Sequence, residues 1–204
     1  MIRVGVLASG NGSNFQALVD NLNVDGSPAR VVSLISNVET AKVIDRARKA
    51  NIDSSFVDPK EASSRQAYDE IIAAKLVRQN IDLVCLAGYM RIVSPAFLKH
   101  FPNRVINIHP ALLPSFPGLH GVRQALAAGV RISGCTVHFV DEGTDTGPII
   151  AQAAVSVLPD DNETTLGDRI RREEHRLFPL VVRAIAAGDV AVDGRSVRLA
   201  RWVG

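Results

Sequence analysis

Apolar residues crowd the stretch Ile2 to Ala8, and after the break Ser9-Gly10-Asn11-Gly12 they recur as Phe15, Leu18, Val19 and Leu22. That i, i+3, i+4, i+7 spacing is one face of a helix, so the chain is predicted to open with a strand, a glycine turn and a helix. The alternation continues, with Val31 to Ile35 as strand, Ala41 to Ala50 as helix, a short strand near Ser55 to Val57, and a longer helix carrying Tyr68, Ile71, Ile72 and Leu76. Leu83 to Ala87 is a continuous apolar run of the kind seen in strands buried on both faces. Pro95 to His100 reads as a short helix with proline at an early position, and Arg104 to Ile108 as another strand. Strands alternating with helices predict an α/β fold, an open, mostly parallel twisted sheet with helices on both faces.

Beyond Ile108 the pattern changes. Pro110, Pro114 and Pro117 forbid a regular helix or central strand, so the segment from His109 to Gly118 must be a shaped loop. A helix from about Val122 to Ala128 follows, then two strands, Ile132 to Val140 and Ile149 to Val157, predicted to pair antiparallel across the irregular connection Asp141 to Pro148. Glu163 to Ala187 reads as a long helix, bent or interrupted at Pro179. Val190 to Asp193 and Val197 to Leu199 read as a small hairpin turning at Asp193-Gly194.

Composition narrows what such a fold could do. With 204 residues, 47% hydrophobic and 22% charged, the chain suits one soluble globular domain, and no apolar run is long enough to cross a bilayer. The net charge of +2, without long basic runs, gives no footing for non-specific nucleic-acid binding. Cys85 and Cys135 lie far apart in apolar stretches, which fits core positions in a reducing cytoplasm rather than a disulfide framework. No metal-binding spacing of histidines is present, so no catalytic metal is expected.

Three features carry chemistry. The turn Ser9 to Asn14 has a strand before it and a helix after it, the setting in which free N–H groups and a positive helix end attract phosphate. Phe15 stands where a dinucleotide fingerprint needs its third glycine, so a whole dinucleotide is not expected; a plain turn with a Ser or Asn helix cap fits the same spacing. In Asn107-Ile108-His109, residues two apart on a strand face one side, so an amide and an imidazole emerge together at a carboxyl strand end. The amide can donate to a developing oxyanion and the imidazole can move a proton near neutrality, although both could equally serve the loop backbone. Asp145 lies between Gly143 and Gly147 and can orient an imidazole or bond its own turn. His138 and His100 read as structural, whereas His120 and His175 could line a pocket.

Taken together, Ala8 to Asn14, Leu86-Ala87-Gly88-Tyr89-Met90-Arg91-Ile92-Val93, Asn107 to Pro114, Pro117-Gly118-Leu119-His120 and Thr136 to Val140 with Asp145-Thr146-Gly147 resemble the phosphoribosylglycinamide formyltransferases, from residue 2 to about residue 185. The resemblance implies a folate-dependent enzyme that moves a formyl group from 10-formyltetrahydrofolate, its co-substrate, to the amino group of glycinamide ribonucleotide. By match, Asn107, His109 and Asp145 fall on catalytic positions; Gly12, Ser13, Asn14 and Glu174 on the ribonucleotide; and Arg65, Met90, Arg91, Ile92, Val93 and the backbone of Asp141, Glu142, Gly143 and Thr144 on the folate. It further implies a single Rossmann-like formyltransferase domain over 1–204, with a phosphate-binding half at 1–108, a folate-binding and catalytic half at 109–187, and a hairpin-like tail at 188–204.

Ala111 stands where the family commonly has Ser, and Arg171 where a neutral polar residue is expected one turn before Glu174. A hydrolase of formyltetrahydrofolate and a transferase acting on methionyl-tRNA share the core but are expected to need further domains for which this chain has no room. A nucleotide-binding module would leave Asn107 and His109 without a task. The implied partners are the two small molecules, with neither nucleic acid nor membrane, in the cytoplasm; a homodimer stays open.

Overall fold

The first apolar run forms β1 (Ile2–Leu7), and the i, i+3, i+4 stripe forms α1 (Ser13–Leu22), in a computed structural model that describes residues 1–200. β2 (Ala29–Ser36), α2 (Lys42–Lys49), β3 (Asp53–Phe56), a 3-10 turn (Pro59–Glu61), α3 (Arg65–Arg78), β4 (Leu83–Leu86), α4 (Pro95–His100) and β5 (Val105–His109) follow. The chain divides into two compact units, Met1–Asn107 and the residues from Ile108 onward, so the boundary falls inside β5.

In the first unit the strands lie in the order β3-β2-β1-β4-β5 and each neighbouring pair is parallel. β4 is buried at every position, as its unbroken apolar run predicts. On α3, Tyr68, Ile72 and Leu76 face the core at i, i+4, i+8, whereas Ile71, placed on the same apolar stripe by periodicity, is exposed. Burying each such side chain is worth about 1.5–3 kcal/mol. The Tyr68 hydroxyl meets its hydrogen-bonding need by donating to the Val57 carbonyl at 3.0 Å. A Cβ at Gly5 would come within 2.9 Å of Leu76 Cδ2, so the glycine in β1 lets α3 pack closely onto the sheet.

The second unit holds α5 (Gly121–Ala127), β6 (Ile132–Phe139), β7 (Ile149–Ser156), α6 (Glu163–Ala187) and a hairpin of β8 (Val190–Asp193) with β9 (Ser196–Leu199). β6 and β7 pair antiparallel as expected, from Ile132↔Ser156 to Val137↔Ala151, with a register shift between Val137 and His138. α6 starts in a capping box: Asn162 Oδ1 accepts from the N–H groups of Thr164 and Thr165, and Thr165 Oγ1 accepts from the Asn162 N–H. The helix spans Glu163–Ala187 as read from the sequence and continues through Pro179 without interruption. Leu177, Phe178, Pro179, Val181 and Val182 are all buried, and that burial offsets the hydrogen bond proline cannot donate. Among the described residues, no helix is long and apolar enough to cross a membrane.

Candidate active site

In the first unit the chain turns from β1 toward β2 on one side, while β4 flanks β1 on the other. Such a reversal of strand order opens a crevice at the carboxyl ends of the strands. A hollow of about 260 Å³ lies there, lined by Ser9 to Asn14 after β1 and by Ala87, Gly88 and Met90 after β4. Four neighbours fix the turn. The Ser9 hydroxyl donates to Asn37 Oδ1 at 2.6 Å and accepts from the Met90 N–H at 2.8 Å. Val43 donates its N–H to the Gly10 carbonyl at 3.1 Å, and Arg46 Nε donates to the Asn11 carbonyl at 2.8 Å.

Gly12 is required twice over. Its φ of 76° is left-handed, and a Cβ there would fall 2.4 Å from Val43 Cγ2. Gly12 serves as N-cap of α1 without a side-chain cap, and the first turn holds no acidic residue. The opening amides of α1 therefore face an anion-ready space. The sequence offered a Ser or Asn helix cap as the plain alternative; the residue at the cap is the glycine.

In the second unit His109 is 4% exposed. Its Nε2 lies 2.8 Å from the Phe116 carbonyl, which can only accept, so Nε2 carries the proton. Its Nδ1 faces Asp145 Oδ2 at 3.3 Å. Asp145 reaches beyond its own turn: Oδ2 accepts from the Gly118 N–H at 2.7 Å, and Oδ1 faces Nε2 of buried His138 at 3.5 Å. His138 Nδ1 in turn donates to the Phe139 carbonyl at 2.8 Å. One carboxylate thus lies between two imidazoles, each with its other nitrogen held by a backbone carbonyl.

Burial pushes the His109 imidazole below its ordinary value and prevails over the Asp145 carboxylate and the Phe116 carbonyl, which pull it up. Burial also works to raise Asp145, but the His138 and Gly118 hydrogen bonds and the nearby imidazoles prevail and hold its carboxyl below the usual range. Asp145 is therefore ionised and His109 neutral near pH 7. The loop carrying Asp145 is itself braced. Asp141 Oδ1 accepts from the Gly143 N–H and the Thr146 hydroxyl at 3.1 and 2.6 Å, and Arg195 in the β8–β9 turn donates to the Thr146 carbonyl at 3.0 Å. Asp145 itself sits at φ 55°.

The remaining expected site residues are spread over both units. Asn107 lies half-buried on β5, two residues before His109. Met90 and Ile92 are exposed, Val93 is in the core, and the Arg91 guanidinium stacks 4.8 Å over the Tyr68 ring. Arg65 is exposed at the start of α3. Glu142, Gly143 and Thr144 are exposed, and Asp141 is half-buried. Glu174 is buried on α6, and Arg171 is engaged one turn back with Asp168 rather than with a ribose-side group. His138, read from sequence as structural, faces Asp145 from β6, a contact the sequence reading did not place. Only the register shift beside it, invisible in sequence, distinguishes it. Among the described residues, no cluster of His, Cys, Asp or Glu could hold a metal ion.

Residues 2–182 match the family model described as formyl transferase. The chain is 46% identical over 201 residues to phosphoribosylglycinamide formyltransferase from Mycobacterium tuberculosis, covering 98% of this chain and 93% of that one. It is 47% identical over 192 residues to the trifunctional purine biosynthetic protein adenosine-3 of Drosophila melanogaster, covering 93% of this chain but only 14% of that protein's length. The crystal structure of glycinamide ribonucleotide transformylase 1 from Symbiobacterium toebii superposes with a TM-score of 0.96 at 50% identity, covering 98% of this chain and 94% of that one.

Proposed function

The chain belongs to the formyl transferase family, and from that premise we propose that it transfers the formyl group of 10-formyltetrahydrofolate to the amino group of 5'-phosphoribosylglycinamide, yielding 5'-phosphoribosyl-N-formylglycinamide in purine biosynthesis. The observation that carries this reading is buried, neutral His109 set between the Asp145 carboxylate and the Phe116 carbonyl. Formyl transfer needs a group that can take up a proton as charge develops and hold it beside a counter-ion.

In the reaction the acceptor amine attacks the formyl carbon, a nitrogen–carbon bond forms, and the carbonyl oxygen becomes an oxyanion. Asn107 donates to that oxyanion, as does His109 Nε2–H in exchange for its bond to Phe116. The proton the amine loses is held on His109 as an imidazolium and then passes to the folate nitrogen as the carbon–nitrogen bond to the folate breaks, releasing tetrahydrofolate. Asp145 stabilises the imidazolium along the way, and His138 holds the other carboxylate oxygen. No covalent bond to the enzyme is needed.

The acceptor phosphate belongs on the opening amides of α1, with Gly12 allowing close approach, Ser13 and Asn14 adding side-chain donors, and Glu174 meeting the ribose. Arg65, Met90 to Val93 and the backbone of 141–144 border the folate. The free, buried thiols of Cys85 and Cys135 fit action in the cytoplasm. His109→Asn keeps a polar side chain but removes the titrating group. Turnover is expected to fall at least about a hundredfold in a folded protein; near-parent turnover would refute the role of His109.

A further inference from the structure

The loop that holds the catalytic pair is itself under constraint. Phe116, Gly118 and His120 all adopt left-handed backbone, with φ of 58°, 79° and 62°. Two of these are not glycine, and such conformations persist only where the surroundings impose them. The Phe116 carbonyl accepts from His109 and the Gly118 N–H donates to Asp145, so this one loop sets both catalytic side chains.

Gln124, half-buried on α5, reaches back into the loop. Its Nε2 donates to the Pro117 carbonyl at 3.0 Å and to the Leu119 carbonyl at 2.9 Å, one on each side of Gly118. The Pro117 carbonyl and the Gly118 N–H belong to the same planar peptide unit, and in a trans peptide they point in opposite directions. Gln124 therefore holds one end of the peptide whose other end donates to Asp145. Polarising that carbonyl also makes the N–H a better donor.

We propose that Gln124 is a positioning residue for formyl transfer, acting through the 117–118 peptide to set Asp145 and, through the neighbouring Phe116 carbonyl, the ring of His109. The formyl-transfer part of this proposal rests on the function argued above. Removing the amide donors should let the peptide rotate and loosen both contacts while leaving the phosphate turn untouched.

Gln124→Met keeps the side chain's size and removes both donors. It is expected to lower kcat about tenfold or more while KM for the ribonucleotide stays within about twofold. In the ligand-free protein, the ¹⁵N imidazole signals of His109 should shift toward a mixture of tautomers, because the Phe116 acceptor is no longer fixed. Should Gln124→Met fail to fold, Gln124→Glu retains the shape and sets a carboxylate against two carbonyls, with a larger loss of kcat expected. Unchanged kcat, with or without a lower melting temperature, overturns the proposal, as do unchanged His109 signals. If the parent protein moves no formyl group at all, the functional reading fails, whereas shifted His109 signals in the variant still support the clamp.

Discussion

Gly118 donates its N–H to Oδ2 of Asp145 over 2.7 Å, and that same oxygen lies 3.3 Å from Nδ1 of His109. With Nε2 already donating to Phe116, neutral His109 turns a lone pair toward a carboxylate. A proton arriving on Nδ1 converts that contact into an ion pair with an aligned hydrogen bond. On the proposed mechanism the pair accepts one proton during reaction and rests without it.

His109 should accordingly titrate below its ordinary value of 6.5, because burial outweighs its acceptors. NMR titration of the ligand-free protein measures this directly. Asp145→Asn removes the nearest charge that favours the imidazolium, so the midpoint should fall further. A midpoint above 6.5 in the parent would show that the carboxylate and the Phe116 carbonyl outweigh burial, and one unmoved by the substitution would show that this carboxylate does not govern the ring.

Asp145→Asn should also separate binding from rate. The carboxylate acts on charge that develops after the substrates are bound, so kcat is expected to drop roughly a hundredfold. KM for either substrate should change much less. A large rise in KM with kcat preserved would make Asp145 a binding residue instead.

Acid stability follows from the same two groups. Folded His109 stays neutral where the unfolded chain already binds a proton, so stability should fall as pH drops below 6.5. Asp145 stays ionised in the fold where the unfolded carboxyl protonates, which adds a second loss as pH drops below 3.8. Urea midpoints across pH should show both declines. In Asp145→Asn the lower one should shrink and the upper one grow.

Gly12→Val should weaken the ribonucleotide and spare a folate analogue in separate calorimetric titrations. The Val43 contact at 2.4 Å and the left-handed φ mean that it also strains the turn. Ser13→Ala with Asn14→Ala is therefore the cleaner pair, expected to cost the ribonucleotide about tenfold in affinity without loss of thermal stability. Equal weakening of both ligands would move the phosphate elsewhere.

Much of the fold was legible because period-2 and period-3.6 apolar patterns survive wherever an element buries one face. α3 shows the limit, since Ile71 has the right spacing yet points outward. The apolar stripe around Pro179 carried the reading of α6 past the proline, because burial there offsets its backbone cost. At the site, Asn107 and His109 were legible as a pair because they share a strand. The contacts of Asp145 with His109 and Gly118 were not, because they bring together segments far apart in the chain, and its contact with His138 depends on a register shift that leaves no mark in the residue types. Gln124 reads as an ordinary position on a short helix.

The proposed chemistry is formyl transfer to an amine rather than to water. Mixing the protein with 10-formyltetrahydrofolate and glycinamide ribonucleotide, while following folate absorbance and separating the products, tests it most directly. One formylated ribonucleotide should appear for each tetrahydrofolate released, with no release when the ribonucleotide is omitted. Release of formate with the ribonucleotide unchanged, or no folate turnover at all, would contradict the account.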